Sequence, residues 1–255
     1  MRIGLQISSL KPFIQTRAGV RDTFRRVAGM GYRDVQLQWT GADVPCEFIA
    51  DEMKANGLDC WGTQDYYDVV MARMDYEIRA AHMYGSHYIC VSGIPERFMS
   101  PEGIRAMAAE MTETQRRLSD EGIALTFHPR HMEYAQVDGD AATCRLLDCA
   151  PDIQLTLDAY HSAIAGVDTA ALMRRYAGRV DIIHLKDAVE CKKGATLTPV
   201  GAGAIDFMPV ISACRDAGVK AIMAEQESWQ GDAFECMKQS LSYLRGALNT
   251  LHYTK

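Results

Sequence analysis

The 255-residue chain has no Cys-x-x-Cys pair among its eight cysteines, no run of Lys or Arg, and no apolar stretch near membrane length. Each absence excludes something. A membrane span needs roughly 18 consecutive apolar residues, so no spanning helix is expected. Met1-Arg2 runs straight into Ile3-Gly4-Leu5, so no leader peptide is expected. Scattered thiols, with Cys90 inside an apolar run, read as free buried cysteines in a reducing, cytoplasmic setting. Basic residues number 27 against 33 acidic, a formal net charge of −6, and no basic cluster is long enough to track a phosphate backbone. Nucleic-acid and membrane partners are therefore not expected. No Gly-x-Gly-x-x-Gly turn follows the first strand, which argues against an open dinucleotide-binding sheet.

What the chain does have is a repeat. A Gly followed at once by a short apolar strand occurs as Gly31-Tyr-Arg-Asp-Val-Gln-Leu37, Gly57-Leu-Asp-Cys-Trp61 and Gly85-Ser-His-Tyr-Ile-Cys-Val91. It returns as Gly122-Ile-Ala-Leu-Thr-Phe127, Gly178-Arg-Val-Asp-Ile-Ile-His184 and Gly218-Val-Lys-Ala-Ile-Met-Ala224, and Pro151-Asp-Ile-Gln-Leu-Thr-Leu157 carries Pro instead. A Gly after a helix takes the left-handed conformation without steric cost, and the chain then turns into a strand. With Ile3–Ile7 this gives eight strands. Helical patterns fill the gaps. Ser100-Pro101-Glu102 opens one helix with a cap, a first-turn Pro and an acid, and Ile104, Met107, Met111 and Leu118 continue at helical spacing. Eight strand–helix units in roughly 250 residues define a single (β/α)8 TIM barrel, α/β with a parallel eight-stranded sheet, over residues 1–255.

In this fold the active site lies where strands end. Reading past each strand gives Gln36 and Gln38, Gln64, Ser92 and Glu96, then His128, Arg130, His131 and Glu133. Asp158 and His161 follow, then His184, Lys186 and Asp187, and finally Glu225, Gln226 and Glu227. Carboxylates converging in one barrel mouth repel each other, so a cation is the simple stabiliser. A mixed His and carboxylate set suits Mn, Zn, Co or Fe better than calcium. Each residue also has a plainer reading: Asp158 as a helix cap, His184 as a core histidine, Glu225 as a partner of Lys186, Glu133 as a loop residue. Gly201-Ala202-Gly203, after the seventh strand, sits at a common phosphate position but reads equally well as a tight turn.

These residues resemble the sugar phosphate isomerase/epimerase group of xylose-isomerase-like barrels over nearly the whole chain. The resemblance rests on Gly31-Tyr-Arg-Asp-Val-Gln36, Phe127-His-Pro-Arg-His-Met-Glu133-Tyr134, Leu157-Asp158-Ala-Tyr-His161, His184-Leu-Lys-Asp187, Val200-Gly-Ala-Gly203 and Ala224-Glu225-Gln-Glu227. It implies one divalent ion (Mn, Zn, Co, Fe or Mg) held by Asp158, His184, Glu225 and a carboxylate after the fifth strand. The usual strand-end Glu is His128 here, and a late Glu of a close subfamily aligns with Glu133. Glu133 is the expected fourth ligand: it adds negative charge, matches that late Glu, and could double as acid/base. His128 would then orient or bind substrate.

The resemblance further implies an isomerase or epimerase acting on a keto sugar or polyol by proton transfer next to a carbonyl through an enediolate. Glu133, Glu225 and His128 are the catalytic candidates. His161, Lys186, Arg130, Gln36 and Gln64 are the substrate-contact candidates, with Arg130 suited to an anionic group. The same site would serve a dehydratase or keto-glycoside lyase, and a non-catalytic sugar-binding barrel is a further alternative. A DNA-cleaving relative would need more metal ligands than seven histidines readily supply, and a basic face. The partner implied is a small carbohydrate; self-association as a homo-oligomer is left open.

Overall fold

In the computed structural model, which describes residues 1–253 with the side chains of 252 and 253 excepted, eight parallel strands close a barrel. They are β1 (Arg2–Gln6), β2 (Asp34–Leu37), β3 (Asp59–Tyr66), β4 (Tyr88–Ser92), β5 (Ala124–His128), β6 (Gln154–Asp158), β7 (Ile182–Leu185) and β8 (Ala221–Ala224). Each pairs with its sequence neighbours, and β1 closes on β8 with Leu5 opposite Ala224. The Gly-led segments all become strands. Gly31 and Gly57 end their helices at φ 105° and 62°, the left-handed region that Gly enters freely.

The outer layer comprises α1 (Arg17–Met30), α2 (Cys46–Asn56), α3 (Tyr67–Ala72), α4 (Met74–Tyr84), α5 (Pro101–Asp120), α6 (Ala142–Cys149), α7 (Ala159–Ile164), α8 (Thr169–Arg175), α9 (Phe207–Ala217) and α10 (Ala233–Tyr253). The Ser100 side chain caps α5 by accepting from the Gly103 amide. Among the described residues, no helix is long and apolar enough to cross a membrane, and all eight cysteines are free thiols, Cys90 among the buried ones.

Outward strand residues pack under the helices, and inward residues fill the barrel in layers. Tyr88, Ile182, Ala221 and Met223, with Trp61 and Ala124, form the lowest apolar layer. Gly4 leaves room for it: a Cβ there would lie 2.4 Å from the Met223 sulfur and 2.9 Å from the Asp34 carbonyl. Higher up, the interior turns polar. Thr126 and Thr156 share a 2.5 Å hydrogen bond, and Ser92, His128, Asp158 and His184 follow at the strand ends. Polar groups are affordable there because this end of the barrel opens to ligand.

Arg179, ahead of β7, donates to the carbonyls of Ile153, Leu147 and Ala150 at 2.7–3.1 Å. It thereby closes the C-terminal end of α6 and the turn into β6. Replacing it with Met leaves those carbonyls unpaired. The expected loss is about 3 kcal/mol of unfolding free energy, measured by urea denaturation.

Candidate metal centre

Register brings four side chains to one point. Asp158 pairs with His184 across β6 and β7, and Ser92 with His128 across β4 and β5. Glu225 follows β8 directly, two residues after the inward Met223, so parity turns it inward too. One ligand atom from each of His128, Asp158, His184 and Glu225 lies within 4.8 Å of the others, and all four residues are buried. His128 Nε2, Asp158 Oδ2, His184 Nδ1 and Glu225 Oε2 make no hydrogen bond. His184 Nδ1 stands 3.2 Å from Glu225 Oε2, and His128 Nε2 3.7 Å from Asp158 Oδ2. Four buried polar atoms that face one another without a hydrogen bond would be costly by themselves.

Their other atoms are held. His184 Nε2 lies 2.7 Å from Gln36 Oε1; the Gln36 amide donates to Gln64 at 3.0 Å, and Gln64 accepts from Gln6 as well. Because the Gln36 oxygen can only accept, His184 donates through Nε2 and turns its other nitrogen, Nδ1, to the cluster. His128 Nδ1 meets Ser92 Oγ at 3.0 Å, which orients its Nε2 the same way. Ser8 donates to Glu225 Oε1 at 3.1 Å, and Asp158 Oδ1 accepts from the His161 amide at 2.8 Å. Asp158 is thus both the helix cap and a member of the cluster. Gln36→Ala is expected to lower affinity for a divalent ion about 10–100-fold, the usual cost of an outer partner, read by competition with a chromogenic chelator.

Lys186 is buried beside the cluster, with its ammonium 2.6 Å from Glu227, 3.3 Å from Glu225 and 3.9 Å from Asp158. Burial disfavours its charge, but Glu225, Glu227 and Asp158 outweigh burial and hold it protonated. Burial likewise raises Asp158 and Glu225. For Asp158, His161, Lys186 and His128 reverse the effect; for Glu225, Lys186 and His184 do. Both carboxyls end well below the usual range. Burial lowers His128 and pushes His161 down to about 4, although Asp158 opposes it at both. The cluster therefore presents two carboxylates and an uncharged His128.

Glu133 is not in this group, which corrects the expectation for the fourth position. Residues His131–Tyr134 form a 3-10 turn that folds the carboxylate back on its own start. Its oxygens accept from the Arg130 amide (2.7 Å), the Arg130 guanidinium (2.9 Å) and the Ile94 amide (3.3 Å). These contacts hold the carboxylate at the start of its own turn. Strand parity turns His128 inward, and it is the fourth member of the group. Arg130 is neutralised by the same contact and lies over the Tyr66 ring at 5.6 Å, so its expected anionic partner is Glu133 itself. Gln36 is fully buried and bonds His184. His161 stands beside the cluster: its ring lies 5.9 Å from that of His128, and its buried Nδ1 makes no hydrogen bond. Exposed Glu96 lies apart from the cluster.

The Gly201–Gly203 loop is a turn built around Asp187. The amides of Gly201, Gly203 and Ile205 all donate to the Asp187 carboxylate at 2.9–3.2 Å. A Cβ at Gly203 would lie 2.3 Å from Asp187 Oδ1. An internal carboxylate thus occupies the cradle a phosphate would use. Sequence reasoning missed Asp187 in this role, and also Ser8, although a polar Ser8-Ser9 pair directly after β1 was a readable signal.

A closed parallel barrel with His and carboxylates converging at its C-terminal mouth defines a class, and comparison with known proteins agrees. Residues 24–247 match the model of the xylose isomerase-like TIM barrel family, and the chain belongs to that family. It is similar to an inosose dehydratase of Lacticaseibacillus casei, 26% identical over 153 residues, 52% of this chain and 51% of the relative. The chain thus spans about half the length of that relative. Among solved structures it resembles a sugar phosphate isomerase/epimerase from Parabacteroides distasonis, with TM-score 0.81, 18% identity, and 96% and 94% of the two chains covered. It also resembles the IolI protein with a bound zinc atom, with TM-score 0.76, 12% identity, and 98% and 99% covered. At these identities the structures share the fold.

Proposed function

We propose that the chain is a divalent-metal-dependent enzyme that moves a proton next to a carbonyl in a small keto sugar or polyol. The observation that carries this reading is the set of four buried atoms without a hydrogen bond, His128 Nε2, Asp158 Oδ2, His184 Nδ1 and Glu225 Oε2, gathered within 4.8 Å. Two carboxylates and two imidazoles match the charge and donor preference of Zn, Mn, Co or Fe better than calcium, and the zinc in IolI is in keeping with that. An ion held there supplies Lewis-acid stabilisation to a substrate oxygen.

The remaining roles fall to the chain's own groups. His161, neutral with a free Nδ1, takes the proton from the carbon beside the carbonyl. Lys186, protonated and buried against Glu225 and Glu227, holds a proton for the oxygen or carbon that needs one. Return of the proton gives an isomerase or epimerase. The Asp187-filled loop favours a substrate without phosphate.

A second reading is elimination of a β-hydroxyl as water, as in a dehydratase. It is favoured by a specific observation: Glu133 is engaged, and the outer oxygens of Asp158 and Glu225 are bonded to His161 and Ser8. That leaves one imidazole base and one ammonium acid, the pair an elimination needs. The similarity to an inosose dehydratase points the same way.

The test is incubation of the Mn- or Zn-loaded protein with inososes, ketohexoses and 3-keto sugars in D2O. Deuterium entering beside the carbonyl, seen by NMR, supports the reading; an unsaturated ketone appearing in the ultraviolet selects elimination. A metal-loaded protein that exchanges none of these protons contradicts it, and would favour a barrel that binds sugar without chemistry.

A further inference from the structure

Beside the cluster, at the ends of β2 and β3, lies a cavity of about 470 Å³. That is within the range of small-molecule sites, about 300–1,000 Å³. Gln64 belongs to its wall and bonds Gln36, which bonds His184, so two side chains link cavity and cluster.

Three features set the cavity apart from a packing gap. Trp39, in its wall, has φ 56°, a left-handed conformation that a bulky residue adopts at a cost. The Gln15 amide holds it there by donating to the Trp39 carbonyl at 2.9 Å. The indole ring is flanked by the Lys11 ammonium at 4.5 Å and by the Tyr66 ring at 6.1 Å. Gln38, also in the wall, is buried and its side-chain oxygen has no partner. Finally, the guanidinium of the wall is already paired: Arg73 meets Glu77 at 2.7 Å and Asp65 at 3.1 Å, which leaves the wall acidic.

An aromatic platform, an amide oxygen with spare capacity and a guanidinium already paired are the recognition chemistry of an uncharged, hydroxylated ring. Its C–H face packs on an indole, and its hydroxyls meet amides and carboxylates. An anionic group would find no uncompensated cation in this wall.

We infer that the cavity is a subsite for a second sugar ring, so that the substrate is a glycoside with its reacting ring at the four-residue cluster and its attached sugar on Trp39. This rests on the functional reading above and specifies its substrate class. The strain at Trp39 is then the cost of presenting the indole to the substrate.

The test is calorimetric titration of the metal-loaded protein with glucose, cellobiose and phenyl β-glucoside. Cellobiose is expected to bind about tenfold or more tighter than glucose, a gain of about 1.4 kcal/mol. Trp39→Ala and Gln38→Leu should each bring that ratio toward one, with Trp39→Phe retaining part of it. Equal affinities in the wild type, no binding of either sugar, or a ratio kept in Trp39→Ala would overturn the subsite. A gain for phenyl glucoside without one for cellobiose would overturn the sugar and assign an apolar group instead. Metal content measured on the same samples separates the two claims: a wild type that takes up no ion counts against the functional reading, and an ion-loaded wild type without the cellobiose gain counts against the subsite.

Discussion

His128→Gln is expected to lose divalent-ion affinity by more than about 100-fold, while Glu133→Gln keeps it. The first substitution removes an imidazole nitrogen from a four-atom set and substitutes an amide, a weaker ligand for a transition ion. Its effect should exceed the 10–100-fold expected of an outer partner such as Gln36. The second touches a carboxylate already engaged with Arg130 and the Ile94 amide. Glu133→Gln should instead cost about 2 kcal/mol of stability, because the part-buried Arg130 guanidinium loses its counter-charge. Equilibrium dialysis against Zn or Mn, followed by elemental analysis and urea denaturation, reads both effects. Ion retained in His128→Gln and lost in Glu133→Gln would reverse the assignment.

The second large effect is on thermal stability. A ligand that binds only the folded state at about 1,000 times its Kd adds about 4.1 kcal/mol. For a domain of this size each kcal/mol moves Tm by about 2–4 °C. Saturating wild-type protein with its ion is therefore expected to raise Tm by about 10 °C over the chelator-treated protein. Asp158→Asn removes one of the two buried carboxylates and should show little of this shift. The cavity variant Trp39→Ala should show all of it, since Trp39 lies outside the cluster. A Tm that ignores the chelator in the wild type would contradict an ion-binding centre at the barrel mouth.

Much of the barrel was legible because its punctuation is local. A helix end followed by Gly and an apolar run needs no distant contact, and Gly31, Gly57, Gly85 and Gly218 each sit at a helix C-terminus in the left-handed region. β3 was read short, ending at Trp61, because its upper half, Gly62-Thr-Gln-Asp-Tyr66, is polar; it stays in the sheet as the wall beside the mouth.

Asp158, His184 and Glu225 were legible as strand-end residues of a barrel. The fourth member was harder. Alternation along β5 turns His128 inward, yet charge favours Glu133, and only the 3-10 turn at His131–Tyr134 decides between them. The orienting contacts were not legible at all. Gln36 and His184 are 148 positions apart and Ser8 and Glu225 are 217 apart, and no local pattern announces such a pair. The Gly201–Gly203 loop misled in the same way: glycines shaped for an internal carboxylate look like glycines shaped for a phosphate until Asp187 is seen between them.

The central claim is that His128, Asp158, His184 and Glu225 hold one divalent ion. Its most direct test is a crystal grown with Zn or Mn and measured at that metal's absorption edge. The expected result is a single strong anomalous peak between the four side chains, about 2.0–2.3 Å from His128 Nε2, Asp158 Oδ2, His184 Nδ1 and Glu225 Oε2, as for zinc-type ligation. A peak bound by Glu133 in place of His128, or no peak at the barrel mouth, would contradict it.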